Sequence, residues 1–345
     1  MSKIKIACLP VAGKENPYQL LMIKGLNSSD KIFAFNGIHD RFFGIFRTWL
    51  KHKPDYIHFD WISSYFYRRN LFLTLVSIPL FYFQILFISK FTITKIVWTA
   101  HNLLPHNNRY PNIDRLIKIF FAKQVEWIRI FSKKSIASFS KNYNVRKDKF
   151  IIVPEGCYSS LYKNNTSRSE SRTKLGLDKD EFILLSLGLI KPYKGLENLI
   201  KSFKKNRFSN QSLLIVGKSM DKMYFKKIKS LARFEDSIKL MDMFVEPDHL
   251  QLYFNAADVV VLPFNSIENS GSVIMAMGFS KPVLAPKMGV IVDRLSMQKE
   301  LLYEDLDVGL KYALKLDRDK LIKYGKQNFN ALSQYRWEDF SCIFT

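Results

Sequence analysis

The chain has 345 residues, of which 47% are hydrophobic and 14% aromatic, so it holds enough apolar material for two buried cores. This composition excludes a disordered or low-complexity protein. The formal net charge of +22 predicts anionic partners, which include phosphorylated small molecules, nucleic acids and the anionic face of a membrane. The basic residues are spread along the chain, which argues against a nucleic-acid-binding tail.

Short apolar runs alternate with helical stretches in the first half of the chain. Runs that are apolar almost throughout are typical of strands buried on both faces of a parallel sheet. We predict five successive strands of one sheet, at 3–10, 31–36, 56–60, 95–101 and 135–140. The apolar part of the N-terminal run is too short for a signal peptide, so we interpret this run as the first strand.

Residues 71–89 form an uncharged apolar run between two arginines and Lys90, just long enough to span a bilayer. Three interpretations stay open. The run is a helix buried against the sheet, a helix lying partly in a membrane interface and anchored by its flanking cations, or a spanning helix. Pro79, Gln84 and the lack of a second such run argue against the spanning helix.

The second half of the chain repeats the pattern of the first. A polar stretch at 162–173 predicts a linker. A second series of strands is then predicted at 182–188, 212–217, 238–242, 259–264 and 282–286. Two such series predict an α/β protein with two Rossmann-like, doubly wound domains. In these sheets ligands bind beyond the carboxyl ends of the strands, so the residues there are the candidates for chemistry.

The strand predicted at 182–188 is followed by the loop GLIKPYKG and an amphipathic helix. Gly188 permits a tight turn, while Lys191 and Lys194 bring two ammonium groups to the start of that helix. Amide N–H groups and the helix dipole attract phosphate there, although solvated lysines in an ordinary loop are the alternative. Gly217 and Lys218 follow the next strand and are weaker candidates for contact with a base or ribose.

Three small residues, Ser270, Gly271 and Ser272, precede an apolar helical stretch after the strand predicted at 259–264. Such residues let a diphosphate approach the backbone, and the serines cap the helix or bind an oxygen. Glu268 lies where a carboxylate would hold a ribose hydroxyl. Two helix starts of this kind in one domain predict that it binds a nucleoside diphosphate.

Three segments of the second half carry a family resemblance: GLIKPYKGLENLIKSF (188–203), AADVVVLPF (256–264) and ENSGSVIMAMGFSKPVLAP (268–286). Together they resemble the donor-binding domain of the GT-B glycosyltransferases, in the family 4-like group. Three segments of the first half resemble a subset that acts in bacterial exopolysaccharide, capsule or lipid-linked oligosaccharide assembly. These are HFDW (58–61), WTAHNLLPHNN (98–108) and IVPEGCYSSLY (152–162).

The resemblance implies two Rossmann-like domains that face each other across a cleft. Residues 1–165 would bind the acceptor, residues 175–325 would bind the nucleotide sugar, and a C-terminal helix within 326–345 would cross back onto the first domain. The donor would be a UDP- or GDP-linked sugar, and no further cofactor is expected.

Two parts of the donor pattern depart from the family. Its loop usually offers an arginine and a lysine to the diphosphate. Lys194 matches the lysine, Leu189 stands at the arginine position, and Lys191 is the candidate substitute. Of the family's paired glutamates, Met275 occupies the second position, and Glu268 is one residue away from the first.

The first domain supplies the acceptor side and the candidate base. His101 ends the strand predicted at 95–101, and the resemblance implies that it contacts the transferred sugar or the leaving phosphate; a buried, hydrogen-bonded histidine is the alternative. An inverting transferase needs a side chain that takes the acceptor's hydroxyl proton, for which Asp60 is the first candidate and Glu15 the second. The further candidates on the acceptor side are Gly13, Trp61, Asn102 and His106.

Metal chemistry is not expected, because no Asp-x-Asp follows a strand and neither a His/Cys cluster nor a P-loop is present. Helix dipoles and basic side chains would instead stabilise the leaving diphosphate. The three cysteines, Cys8, Cys157 and Cys342, have no metal-binding spacing and fit a reducing compartment.

The function that these features favour is transfer of a hexose from GDP-mannose or a UDP-hexose to a lipid-linked or growing polysaccharide acceptor. The charge and the apolar run predict a cytoplasmic protein held peripherally at the inner, anionic face of the membrane. A nucleotide-sugar-binding protein without transferase activity is the alternative. A basic nucleic-acid-binding protein is disfavoured, because the sequence shows no reader motif.

Overall fold

Alternating strands and helices build two six-stranded sheets in which every strand pair is parallel. The computed structural model describes residues 2–13, 16–68, 70–103, 110–267 and 269–344. Unit 1 comprises Met1–Gly156 and Tyr335–Thr345, and unit 2 comprises Cys157–Gln334. The predicted α/β class with two doubly wound sheets is confirmed.

Over its described residues, unit 1 contains the first sheet and five α-helices. The strands are β1 (Ile4–Leu9), β2 (Ile32–Asn36), β3 (Tyr56–Phe59), β4 (Lys95–Thr99), β5 (Trp127–Ile130) and β6 (Phe150–Ile152). The helices are α1 (Pro17–Leu26), α2 (Gly44–His52), α3 (Leu71–Phe91), α4 (Pro111–Gln124) and α5 (Ile136–Tyr143). The strand order β2-β1-β3-β4-β5-β6 places the topological switch point between β1 and β3, where open sheets of this kind bind ligands.

Unit 2 contains the second sheet and eight helices among its described residues. The strands are β7 (Phe182–Leu187), β8 (Gln211–Val216), β9 (Ile238–Met241), β10 (Val259–Val261), β11 (Val283–Pro286) and β12 (Leu302–Tyr303). The helices are α6 (Arg168–Lys174), α7 (Leu196–Asn206), α8 (Lys222–Ala232), α9 (Leu250–Ala256), α10 (Gly271–Gly278), α11 (Ile291–Arg294), α12 (Leu306–Leu314) and α13 (Arg318–Ser333). The order β12-β11-β10-β7-β8-β9 puts the switch point between β7 and β10.

The prediction of a strand at 135–140 is wrong, because these residues form most of α5. Ile136, Phe139 and Tyr143 recur at helical spacing and pack against the core of unit 1. The fifth strand is β5, in which the buried Arg129 interrupts the apolar pattern, and β6 adds a sixth. In unit 2 the two-residue strand β12 was not predicted.

The prediction of a linker at 162–173 is wrong for the second half of this stretch, where α6 begins. The Ser167 hydroxyl accepts a hydrogen bond from the Glu170 N–H (3.1 Å) and caps that helix. Arg172 of α6 is almost fully buried, and its guanidinium donates to the Asp258 carboxylate (2.8 Å). A polar segment is therefore anchored to unit 2 by a buried ion pair rather than by apolar contacts.

The end of the chain is shared between the two units. Helix α13 belongs to unit 2, where Asn328 donates to the Lys281 carbonyl (3.0 Å) and to the Gln298 side chain (2.7 Å). The residues from Tyr335 onward belong to unit 1 and contain a 3-10 helix, Trp337–Ile343. The return to unit 1 thus begins at 335, not at 326 as predicted.

Helix α3 is the apolar run predicted at 71–89. By length and composition alone, it is long and apolar enough to cross a membrane. Of its most apolar 18-residue stretch, 33% is buried. Phe81, Ile85 and Ile88 lie in the core of unit 1 beside residues of β3 and α4. The helix is therefore a component of the unit, and one side of it is exposed.

Candidate functional site

The donor-side candidates of unit 2 converge at the carboxyl ends of β7 and β10. The Lys194 ammonium donates to the Ser272 hydroxyl (2.9 Å) across 78 residues of sequence. A Cβ placed on Gly188 would lie 3.5 Å from the Ser272 hydroxyl and 3.7 Å from the Lys194 ammonium. Gly188, Lys194 and Ser272, which were predicted separately, thus form one group.

Lys194 is a buried cation in an unusual setting. Burial, and then repulsion by Lys191, lowers the pKa of its ammonium to about 8. The ring of Phe264 lies 4.8 Å from it, and among the described residues no carboxylate pairs with it. A buried ammonium that is paired only with a hydroxyl is electrostatically suited to an incoming anion.

Backbone geometry explains why glycine stands at two neighbouring positions. Gly195 has φ +68° and ends the short 3-10 turn that carries Lys194, and a Cβ there would lie 1.9 Å from the Pro263 carbonyl oxygen. A Cβ on Gly217 would lie 1.7 Å from the Gly188 carbonyl oxygen. Both glycines let the chain approach closely enough to place Lys194 and Gly188 where they are.

The small residues after β10 form the start of α10. Ser270 is the N-cap, and its hydroxyl accepts from the Val273 N–H (3.4 Å). Gly271 has open space where a Cβ would project. The first N–H groups of α10 and the positive end of its dipole thus lie beside Ser272 and Lys194, an arrangement that favours phosphate.

The remaining donor-side candidates are more peripheral. Lys191 is half-buried directly before the 3-10 turn. Lys218 is exposed and lies 3.7 Å from the Asp242 carboxylate. Met275 lies on α10 and lines a cavity of about 180 Å³ with Tyr158, Ile274 and other largely apolar residues. The prediction for Glu268 concerns a residue outside those that the structure describes.

In unit 1, Asp60 and His101 lie together at the carboxyl ends of β3 and β4. The Nε2 atom of His101 is 3.0 Å from the Asp60 Oδ1 atom, the Asp60 side chain is fully buried, and that of His101 is 11% exposed. Trp61 stacks on the His101 ring at 4.7 Å, and Tyr18 meets it edge-on at 4.9 Å. The imidazole is therefore fixed in orientation by a carboxylate and two aromatic rings.

Electrostatics assign the negative charge of this cluster to Asp60. Burial opposes ionisation of Asp60, but its interactions with His58 and His101 outweigh burial, so the pKa of the carboxyl lies below its ordinary value. Burial lowers the pKa of His58 to about 4, which keeps that ring neutral near pH 7. The His58 Nε2 atom is 2.8 Å from the Thr99 hydroxyl.

Sequence reasoning missed the buried Arg129, which supports this cluster from β5. Its guanidinium donates to the Tyr18 hydroxyl (2.7 Å) and to the Val153 and Pro154 carbonyls, and it lies 4.2 Å from the Phe340 ring. The signal in the sequence was a single arginine inside an otherwise apolar run, WIRI. His58 and Tyr18 were missed as well.

The other acceptor-side candidates flank the cluster. Gly13 lies in the loop after β1, where its carbonyl accepts from the Asn16 N–H (3.0 Å). Asn102 follows His101, and its carbonyl accepts from the Tyr143 hydroxyl (3.2 Å). The predictions for Glu15 and His106 concern residues outside those that the structure describes.

No metal site emerges from the described ranges: they contain no group of three or more His, Cys, Asp or Glu side chains placed to hold a metal ion. The arrangement offers instead a buried ammonium at a helix N-terminus in unit 2 and an oriented imidazole in unit 1. The first suits an anionic leaving group, and the second suits proton transfer.

Comparison with known proteins shows what the second unit and the whole chain are similar to. Residues 167–327 match the family of glycosyl transferases group 1. A GDP-mannose:glycolipid 4-beta-D-mannosyltransferase of Xanthomonas campestris pv. campestris is 26% identical over 272 residues, which cover 78% of this chain and 72% of that protein.

Solved structures show the same fold over almost the whole chain. The sucrose-phosphate synthase of Thermosynechococcus elongatus superposes with a TM-score of 0.75 at 16% identity and covers 99% of this chain and 97% of its own. Anabaena HepE in complex with UDP and glucose gives a TM-score of 0.71 at 16% identity, with 99% and 98% covered. The chain is therefore a glycosyltransferase with the GT-B fold, and residues 167–327 of its second unit match the model of the glycosyl transferases group 1 family.

Proposed function

We propose that the protein transfers a hexose from a nucleoside-diphosphate sugar to a lipid-linked or growing polysaccharide acceptor at the cytoplasmic face of a membrane. The donor is GDP-mannose or a UDP-hexose. The observation that carries the proposal is the buried Lys194, hydrogen-bonded to Ser272 beside the N-terminus of α10. The names of the Xanthomonas relative and of the HepE complex support a nucleotide donor, and the relative's name supports a glycolipid acceptor.

Unit 2 holds the donor through its diphosphate. The Lys194 ammonium, the Ser272 hydroxyl and the first N–H groups of α10 bind the phosphate oxygens, and Lys191 adds a second cation. As the bond between the anomeric carbon and the phosphate oxygen breaks, negative charge grows on the diphosphate. These groups stabilise that charge without a metal ion.

Unit 1 activates the acceptor through His101. Asp60 holds the Nε2–H of His101, which leaves Nδ1 as the proton acceptor. His101 takes the proton of the acceptor hydroxyl, whose oxygen bonds to the anomeric carbon while the nucleoside diphosphate leaves. A direct displacement of this kind inverts the anomeric carbon. Asp60, predicted as the base, is buried, and we assign it the positioning of His101 instead.

Binding of nucleoside diphosphates tests the donor site. We expect GDP or UDP to raise the unfolding temperature, because ligand at a hundredfold excess over Kd contributes about 2.7 kcal/mol. Lys194→Ala should abolish the shift, whereas Lys226→Ala, which removes an exposed lysine of α8, should keep it. An unchanged shift with Lys194→Ala would show that the phosphate site lies elsewhere.

Transfer itself is measured with radiolabelled GDP-mannose and UDP-hexoses and a glycolipid acceptor. With one of these donors, the radiolabel should appear in the organic phase, which contains the glycolipid. NMR of the product should show that the anomeric configuration is inverted. Nucleotide binding with no transfer to any glycolipid or glycan would refute the proposed acceptor class. A product with the anomeric configuration retained would refute the role of His101 as base.

A further inference from the structure

Helix α3 is apolar on both of its sides, unlike a helix that covers a sheet in the usual way. Its buried side combines apolar core residues with Thr74, Ser77 and Gln84, and its exposed side is also largely apolar. The exposed fractions are 72% for Phe72, 49% for Leu75, 57% for Val76, 61% for Phe83, 37% for Leu86 and 79% for Phe91. Water is a poor solvent for such a side, so its chemistry indicates a partner.

The orientation of α3 is fixed by specific hydrogen bonds of its buried polar side chains. The Gln84 amide donates to the Phe42 carbonyl (2.7 Å) and accepts from the Phe46 N–H (3.1 Å). The Ser77 hydroxyl donates to the Leu73 carbonyl (2.8 Å). These buried polar side chains are thus satisfied within unit 1, and the exposed side of α3 that is left for a partner is apolar except for Lys90 at its end.

Helix α2 enlarges this surface. The Phe87 ring of α3 lies 5.4 Å from Phe46 and 5.2 Å from Trp49 of α2, so the two helices pack side by side. Phe42, Phe43 and Leu50, on α2 or directly before it, are about half exposed. We call these residues together with the exposed side of α3 the α2–α3 face.

The charges around the α2–α3 face are mainly positive. Neither helix contains an acidic residue, and exposed cations stand on α2, in its flanking residues and at the end of α3: Arg41, Arg47, Lys51, Lys53 and Lys90. Of these, Arg47 pairs with Asp40 (2.8 Å). A second copy docked on this face would oppose cations with cations, whereas an anionic apolar surface complements it.

We propose that the α2–α3 face docks on the surface of a bilayer that contains anionic lipids. Helix α3, about 30 Å long, lies in the interface with its apolar side chains at the boundary of the acyl chains, and the cations contact the headgroups. It does not span, because Phe81, Ile85 and Ile88 belong to the core of unit 1. The inference rests on the proposed function only for the membrane location, and it specifies the surface and the lipid.

Flotation of the purified full chain with vesicles tests the docking. We expect binding to vesicles of phosphatidylglycerol and phosphatidylcholine, and much weaker binding to phosphatidylcholine alone. Phe72→Ser combined with Phe83→Ser should lower the partition coefficient at least about tenfold. Lys51→Gln combined with Lys90→Gln should lower binding to the anionic vesicles about fivefold per lysine.

The matched control is Phe208→Ser combined with Phe244→Ser, which removes two aromatic side chains of unit 2 that are 52% and 54% exposed. It should bind vesicles as the unaltered chain does. Circular dichroism should show the same fold for every variant, since all the altered side chains are exposed.

Three results would overturn the inference. One is the absence of vesicle binding at low salt. Binding of an acidic polypeptide in place of vesicles would be the same result. Another is a dimer in light scattering without lipid that the Phe72/Phe83 variant dissociates, which would assign the face to a second copy. The third is resistance to extraction by alkaline carbonate, which would indicate a spanning helix.

Docking and donor binding fail separately in these experiments, because flotation requires no nucleotide. Lys194→Ala should float like the unaltered chain while losing its thermal shift with GDP or UDP. The Phe72/Phe83 variant should keep that shift and lose flotation.

Discussion

At the scale of single residues, the contact between Asp60 and His101 carries the proposed proton transfer. Asp60→Asn keeps the size of the side chain, but it removes the charge and no longer holds the Nε2–H tautomer of His101. We expect kcat to fall by about 10² to 10⁴ with nucleotide affinity unchanged.

Steady-state rates and calorimetric titration with the nucleoside diphosphate measure the two quantities. Asp55→Asn, which alters a surface aspartate next to β3, serves as the control. A loss of nucleotide affinity that matched the loss of rate would indicate a collapsed structure instead of a mispositioned base.

Lys194 should give the proposed donor site its pH dependence. Its pKa of about 8 in the free protein lies below the ordinary value because of burial and Lys191, and a bound diphosphate favours the charged form. Binding therefore takes up a proton, and affinity should fall by up to about tenfold per pH unit as the pH rises above about 8.

Calorimetry in buffers of different ionisation enthalpy measures this proton uptake directly. Lys194→Arg should bind with nearly constant affinity over the same interval, because a guanidinium does not titrate there. A chain with unaltered Lys194 whose affinity stays flat to about pH 9.5 would contradict the assignment.

The position of a residue just after a strand predicts that it belongs to the site, but it does not predict the contacts of that residue. Lys194, Ser272, Asp60 and His101 were found because each follows a strand, and ligands bind beyond such ends. The sequence could not show that Arg129 reaches Tyr18 across 111 residues, since the apolar run around this arginine indicates burial but does not indicate its partner.

At the scale of elements, the buried Arg172–Asp258 pair joins α6 to the sheet of unit 2. The Asp258 carboxylate also accepts from the Ile183 N–H (2.8 Å). Loss of Arg172 leaves this buried charge with only Arg168 and Arg318 as cationic partners, whose side chains are 37% and 41% exposed. Arg172→Met should destabilise unit 2 by about 3–5 kcal/mol.

Urea denaturation followed by far-UV circular dichroism measures this loss. Arg168→Met is the matched control, because Arg168 contacts the same carboxylate at 3.1 Å but its side chain is 37% exposed. It should cost about 1 kcal/mol or less. Equal losses for the two variants would rule out the buried pair as the anchor of α6.

Elements with a continuous apolar pattern were predictable, and elements held by polar groups were not. The runs at β1, β4, β7 and β8 correspond to buried strands, since each is apolar almost throughout. By contrast, the polar sequence of α6 predicts a linker, because the partner of its buried arginine lies 86 positions away.

At the scale of the whole molecule, the last residues of the chain complete unit 1. Phe340 is buried against the rings of His58 (5.0 Å) and Phe344 (5.3 Å), and Trp337 packs on Gly25 and Gly156. Phe340→Ala should destabilise unit 1 by about 3–5 kcal/mol.

Hydrogen exchange locates the effect of this substitution. Amides of α1 and β3 should lose protection, whereas those of β7 and β8 in unit 2 should not. Phe234→Ala, which removes an aromatic side chain that is 89% exposed, should change neither set. Loss of protection in both units would contradict the assignment of residues 335–345 to unit 1 alone.

The return of the chain to unit 1 also orders the events of its synthesis. Unit 2 is one continuous stretch, so it is complete once residue 334 has left the ribosome, whereas unit 1 still waits for residues 335–345. A nascent chain halted after residue 334 therefore holds a finished unit 2 and an open face around Gly25 and His58. The unit whose sheet is translated earlier is the unit that is completed later.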